Sequence, residues 1–225
     1  LALFSQHVNV SVVSSGIVIV PLHYSGLLSS SESMIVLALG VIGGMLPDLD
    51  ANNSTPTEIM FRLISIFFPL VVLLSIEHIL PILYIVSIWA IASFILNFIL
   101  FEIFLKLTTH RGIFHTIPMG VLFGEVTVLI SQHLVGMSQT FSSIAGFFVF
   151  FGFVSHLILD EIYSIDFKSM SLKSSFGTAF KFYDTNNGIG TFFLYVLVIY
   201  IYTISPIDMS LYKQMFEVFR EVRFI

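Results

Sequence analysis

The stretch from Phe141 to Leu159 contains no Asp, Glu, Lys or Arg and is built mainly from Phe, Val, Ile, Leu and small residues. A run close to the ~20 apolar residues that carry a helix across hydrocarbon leaves few folds open. Inside a bilayer every backbone N–H and C=O must be paired within the segment, so this run is expected to be a membrane helix. The rest of the chain follows suit. Of its 225 residues 56% are hydrophobic and 10% charged, against about 25% charged in an ordinary soluble domain. The fold class expected is therefore all-α: a polytopic integral membrane helical bundle, one membrane domain over residues 1–225. At about 20 residues per crossing, the length suits roughly six to seven membrane segments.

The apolar segments fall at Val8–Leu28, Met34–Leu46, Leu63–Ile76, Ile79–Leu105, Ile117–Val135, Phe141–Tyr163 and Thr191–Ser205. Val8 to Val20 imitates a signal-peptide core, but no basic residue precedes it and no clear small-residue cleavage site follows, so it is expected to stay in the mature fold. A basic loop spans 164–189 and the last membrane segment 191–205. In the tail, 209–225, Leu211, Met215, Val218 and Val222 recur at helical spacing, which predicts an amphipathic helix at the membrane interface. There is no cysteine, so disulfides and thiolate metal sites are excluded. The net charge of −5 gives no reason to expect nucleic acid as a partner; membrane lipids are the natural neighbours.

Arg62, Lys106, Arg111, Lys168, Lys173 and Lys181 fall on one side if each hairpin crosses twice, and that side is expected to be cytoplasmic. The same map brings His7, Asp48, Asp50, His110, His115, His156 and Asp160 to that surface from four separate stretches, all within residues 7–160. His23, His78 and His133 map to the opposite one.

Three motifs carry these residues. In SHLILD, His156 and Asp160 are i, i+4 and share one helix face. They can bridge a divalent metal, or simply lock two helices by a hydrogen bond. In LPDLD, Pro47 is expected to turn Leu46 away from helix, and in an extended chain Asp48 and Asp50 project to one side. The plainer reading is a solvated loop at a helix end, with Gly43 and Gly44 serving close helix packing. In HRGIFHT, His110 and His115 lie about 140° apart on a helix, but they can converge from a loop that turns at Gly112. Thr116 then serves as an N-cap with Pro118 in the first turn. Arg111 can orient a substrate anion with its forked donors, or act as an ordinary basic juxtamembrane residue. Glu161 is a candidate supporting carboxylate or general base, against the reading of a solvated interfacial residue. Glu125, mid-span, is a functional candidate simply because carboxylates are costly there. Imidazole and carboxylate together suit zinc, manganese or iron, and the number of ligands allows one or two ions. Such a centre can activate water against a phosphoryl or carbonyl group.

In order, Gln6-His7, LPDLD, HRGIFHT and SHLILD resemble the motif series of the LexA-regulated, membrane-bound metal-dependent hydrolases, also called YdjM-like inner-membrane proteins. The tract from Asp160 to Phe182 is similar too. Where the family usually has threonine and serine around the second histidine, this chain has Phe114 and Thr116, and Ala51 stands where many members carry histidine. The resemblance implies a metal-dependent hydrolase of the bacterial or archaeal inner membrane. On this reading the seven His and Asp residues ligate a divalent metal, zinc foremost, and the substrate is a small molecule or lipid. The alternatives are a non-catalytic protein with a structural metal site and an ion transporter. A transporter should place its ligands near the bilayer midplane, and these lie at segment ends.

Overall fold

The computed structural model describes residues 3–50, 55–75, 80–102, 112–166, 171–172, 177, 180–205 and 207–221, without the side chains of residues 50, 55–57, 60, 166, 171 and 172. Within them the chain is an all-α bundle. Helices α1 (Phe4–Tyr24) and α2 (Ser30–Met45) form a hairpin, and α2 runs on into a 3-10 turn, Leu46–Asp50. Helix α3 (Thr55–Leu74) pairs with α4 (Ile82–Phe94), which continues as a π-helical stretch, Ile95–Leu100. Helix α5 (Ile117–Leu129), extended by Ile130–Leu134, precedes the longest helix, α6 (Gln139–Tyr163). Helices α7 (Gly188–Ile204) and α8 (Met209–Glu221) close the chain. The strands among the described residues are a two-residue ladder, Ile165–Asp166 with Ser171–Leu172.

Five of these helices are long and apolar enough to cross a membrane, or six if α7 and α8, bent by 92°, are taken as one broken span. The bend keeps the two helices distinct in character. α7 is apolar nearly all round, whereas α8 is two-faced. Leu211 and Met215 on its apolar side are buried against Ile19, Leu22, Phe141 and Ile144. So the hydrophobic stripe seen in the sequence is at least partly taken up by protein rather than lipid. Asp208 starts α8 by accepting hydrogen bonds from the backbone N–H of Ser210 and Leu211.

Turns are set by local chemistry. Gly26, at φ +80°, ends the α1 connection, a backbone region glycine enters without a Cβ penalty. Ser29 then caps α2: its hydroxyl accepts from the Glu32 N–H at 3.3 Å, and the Glu32 carboxylate accepts from the Ser29 N–H at 2.8 Å. This reciprocal box satisfies donors that the first helical turn leaves open. Ser29→Ala is expected to lower the thermal midpoint in detergent, at a cost of about 1 kcal/mol.

Helix α6 is the axle of the bundle, buried along most of its length. Phe148, Phe153, Ile144 and Leu157 are fully buried on it, which is why its sequence is apolar on every face. Between helices in lipid, close packing replaces the hydrophobic drive, and small residues make it possible. A Cβ added to Gly43 would strike the Val149 carbonyl of α6, and one on Gly152 would strike the Gly40 carbonyl of α2. The expectation that Gly43 serves helix packing is met; Gly44 is similarly tight against Ser11 of α1. On the other side of α6, Gly124 and Gly146 also bring α5 close, though less tightly than Gly43 and Gly152 bring α2.

Candidate metal centre

The antiparallel order of α1, α2, α5 and α6 gathers four chain segments at one end of the bundle. His7 lies in the second turn of α1, inside the helix rather than ahead of it. Asp48 lies just past α2, His115 just before α5, and His156 and Asp160 near the end of α6. Two groups of candidate ligands result, each with its ligand atoms within 4.8 Å of one another: His7, His156 and Asp160, and Asp48, His115 and His156.

The distances link the two groups through His156. His156 Nε2 lies 3.7 Å from Asp48 Oδ1 and 4.0 Å from Asp160 Oδ2. His7 Nε2 lies 3.5 Å from Asp160 Oδ1, and His115 Nε2 lies 4.0 Å from Asp48 Oδ1. These separations exceed ordinary hydrogen bonds of about 2.7–3.2 Å. They sit just above the ~3.3 Å between neighbouring ligands on a tetrahedral zinc with ~2.0–2.1 Å bonds. His7 and His156 stack with ring centroids 3.7 Å apart. His7, His115, His156 and Asp160 are buried, while the Asp48 side chain is 25% exposed and so marks the mouth.

His156 decides what the cluster needs. Its Nδ1 lies 2.7 Å from the Gly44 carbonyl, and a carbonyl can only accept, so Nδ1 carries the proton. In the neutral ring Nε2 is then a bare lone pair, and it has no hydrogen-bond partner among the described residues. It faces two carboxylates. Buried Asp160 and the partly exposed Asp48 set two carboxylates beside three imidazoles, a donor set suited to a divalent cation. Protonating both stacked rings would set two like charges 3.7 Å apart, which is costly at low dielectric. A divalent cation neutralises the set at once. Metal-bound histidines commonly donate their other ring N–H to a backbone carbonyl, as His156 does.

The sequence around Gly44 supplies that carbonyl. At 3-10 spacing its donor would be residue 47, and residue 47 is proline, which has no N–H. The close packing of Gly43 and Gly152 then carries His156 within reach. Two expectations are corrected here. Leu46 is helical, at φ −60° and ψ −38°, because the disfavour of helix before proline is outweighed by the 3-10 continuation of α2. The LPDLD segment is accordingly a 3-10 helix and not extended. Asp48 joins the cluster; the side chain of Asp50, and all of His110 and Arg111, lie outside the described residues. Thr116 holds the N-cap position of α5, but its hydroxyl donates to the Ile113 carbonyl instead of capping. The Glu161 carboxylate accepts from the Gly177 N–H, tying the following loop to α6.

Three supporting residues were not singled out as such from the sequence. The Gly44 carbonyl orients His156. Gln6 donates to the Tyr163 hydroxyl at 2.7 Å, clamping the start of α1 to the end of α6. The Lys181 carbonyl accepts from Ile117 N–H at 2.8 Å, satisfying an open donor at the start of α5 beside His115. The QH pair at Gln6-His7 was the one signal for any of them.

Fold and cluster together define the class: a polytopic helical membrane protein with a buried His/Asp group at one end of the bundle that can hold a metal ion. The family model described as YdjM inner membrane protein matches residues 7–211. The chain belongs to that family, and the resemblance read from its motifs is thereby met. No curated protein and no solved structure matches it.

Proposed function

We propose that this protein is a membrane-bound, metal-dependent hydrolase acting on a phosphoester or ester at the cytoplasmic membrane surface. One observation carries the reading: the bare Nε2 of His156, oriented by Gly44, faces Asp48 and Asp160 at 3.7 and 4.0 Å. His7, Asp48, His115, His156 and Asp160 would hold the ion, zinc foremost, with manganese or iron as alternatives. When bound, the ion supplies Lewis acidity and lowers the pKa of water toward neutrality. Because His156 has only one nitrogen free, both ligand groups favour a single shared ion; a second would need Asp50 or His110. Buried His7, His156 and Asp160 keep bulk water from the inner side, and the partly exposed Asp48 faces the entry path. From that position its carboxylate can hold an attacking water by hydrogen bond or take its proton. Arg111 is assigned the substrate anion. Arg62 and Lys181 support a cytoplasmic orientation under the positive-inside rule, and a site at that depth suits lipid headgroups or other phosphoesters.

The test is turnover of bis(p-nitrophenyl) phosphate and p-nitrophenyl acetate by detergent-purified, metal-loaded protein. Hydrolysis that falls at least about 100-fold in Asp48→Ala is expected, the scale of a lost catalytic base or ligand. A loaded protein inert toward both substrates and toward phospholipid would favour a structural metal site. A transport path is disfavoured by the position of the ligands at one end of the helices instead of midway.

A further inference from the structure

On the half of α6 away from the metal centre, a cavity of about 500 Å³ opens between α5, α6 and α8. Its walls include Val121, Phe147, Phe150, Tyr212, Met215 and Phe216, and among the described residues no Lys, Arg or His lines it. The one charged-type side chain on it is Glu125, which is 3% exposed and whose Oε2 is buried with no hydrogen-bond partner among the described residues. Along α6 the lining residues Gly146 and Phe150 precede His156 by ten and six positions, about 9–15 Å at 1.5 Å per residue. The cavity is therefore separate from the metal centre.

A carboxyl group buried at membrane depth needs a partner, since leaving it unmade costs kilocalories. Here the protein builds an apolar chamber around it instead. The volume lies in the range of pockets for small ligands, roughly 300–1,000 Å³, and a few polar groups on an apolar wall are the usual device for fixing a ligand's orientation. We propose that this cavity binds an amphiphile: an apolar chain or ring body lying among the aromatic walls, with one hydrogen-bond-donating head, an amine or a hydroxyl, on Glu125. Helix α8 forms the wall that would close over the occupant, through Tyr212, Met215 and Phe216.

The full chain in detergent micelles can be photolabelled with three diazirine probes: a dodecylamine, a dodecanol and a headless dodecane. The amine, the alcohol or both are expected to label 121–150 and 207–219 well above the dodecane. Glu125→Leu is expected to reduce that labelling at least tenfold, and Val121→Phe, which fills the cavity but keeps the carboxyl in the chain, to do the same. Glu125→Gln separates the two heads: loss of amine labelling alone marks an ion pair, and retained labelling marks a neutral hydrogen bond. Equal labelling by all three probes overturns the proposal. So does unchanged labelling in Glu125→Leu, or in Val121→Phe should the first variant not fold.

Discussion

Metal bound by the purified protein is expected to fall at least about 100-fold in affinity when His156 is replaced by alanine, a loss at the upper end of what perturbing a ligand's surroundings alone produces. His156 is the one residue common to both ligand groups, so its removal dismantles both. Elemental analysis of wild type, His156→Ala and Asp48→Ala, each loaded with zinc and desalted, reads the effect directly. Stability should move with it. A ligand present at 100 times its Kd stabilises the folded state by about 2.7 kcal/mol, so a chelator is expected to lower the unfolding midpoint of wild type and leave His156→Ala unmoved. Equal metal in all three proteins would mean that the ion sits elsewhere, and the proposed chemistry would lose its basis.

The second large effect is expected from glycine. Gly43→Val or Gly152→Ala places carbon against backbone atoms of the facing helix, Val149 in one case and Gly40 in the other. Backbone cannot swing aside as a side chain can, so the helices must part. Overpacking of this kind costs about 1–3 kcal/mol, occasionally more. It should also draw the Gly44 carbonyl from His156 Nδ1 and cost a further 10–100-fold in metal affinity, the scale for losing a partner that orients a ligand. Gly16→Ala is the control, because nothing lies within 4 Å of a Cβ at that position. It should leave metal content at the wild-type value and the midpoint no lower, since alanine favours the helix over glycine. If Gly152→Ala binds metal as wild type does, the coupling between helix packing and the centre is absent.

Much of this protein can be read without coordinates. Charge-free runs of membrane length name the class, because hydrocarbon imposes the same demand on every backbone it encloses. Counting crossings from Arg62 and Lys181 puts His7, Asp48, His115, His156 and Asp160 at one end, since an antiparallel helix must return its terminus to the side it came from. The i, i+4 step from His156 to Asp160 needs no more than helical periodicity.

Other features were illegible for equally physical reasons. LPDLD looks like a chain leaving a helix, yet the 3-10 turn persists because it continues a packed helix, and tertiary contact outweighs the local bias before Pro47. The choice of Nδ1 as the protonated nitrogen of His156 depends on a carbonyl 112 positions away in sequence. The apolar stripe of α8 reads as a membrane-lying face, whereas Leu211 and Met215 are buried against α1 and α6. Glu125 is visible as a costly residue, but nothing local says that it lines a chamber.

By itself, then, the sequence determined the membrane class, the helical segments and the end of the bundle where imidazoles and carboxylates meet, because hydropathy and spacing are local properties of the chain. The tertiary structure alone decided that five of those side chains form two ligand groups sharing His156, which nitrogen of His156 is bare, and where Glu125 faces. Those depend on distances between helices, and the distances are set by glycine-to-backbone contacts between segments far apart in the chain.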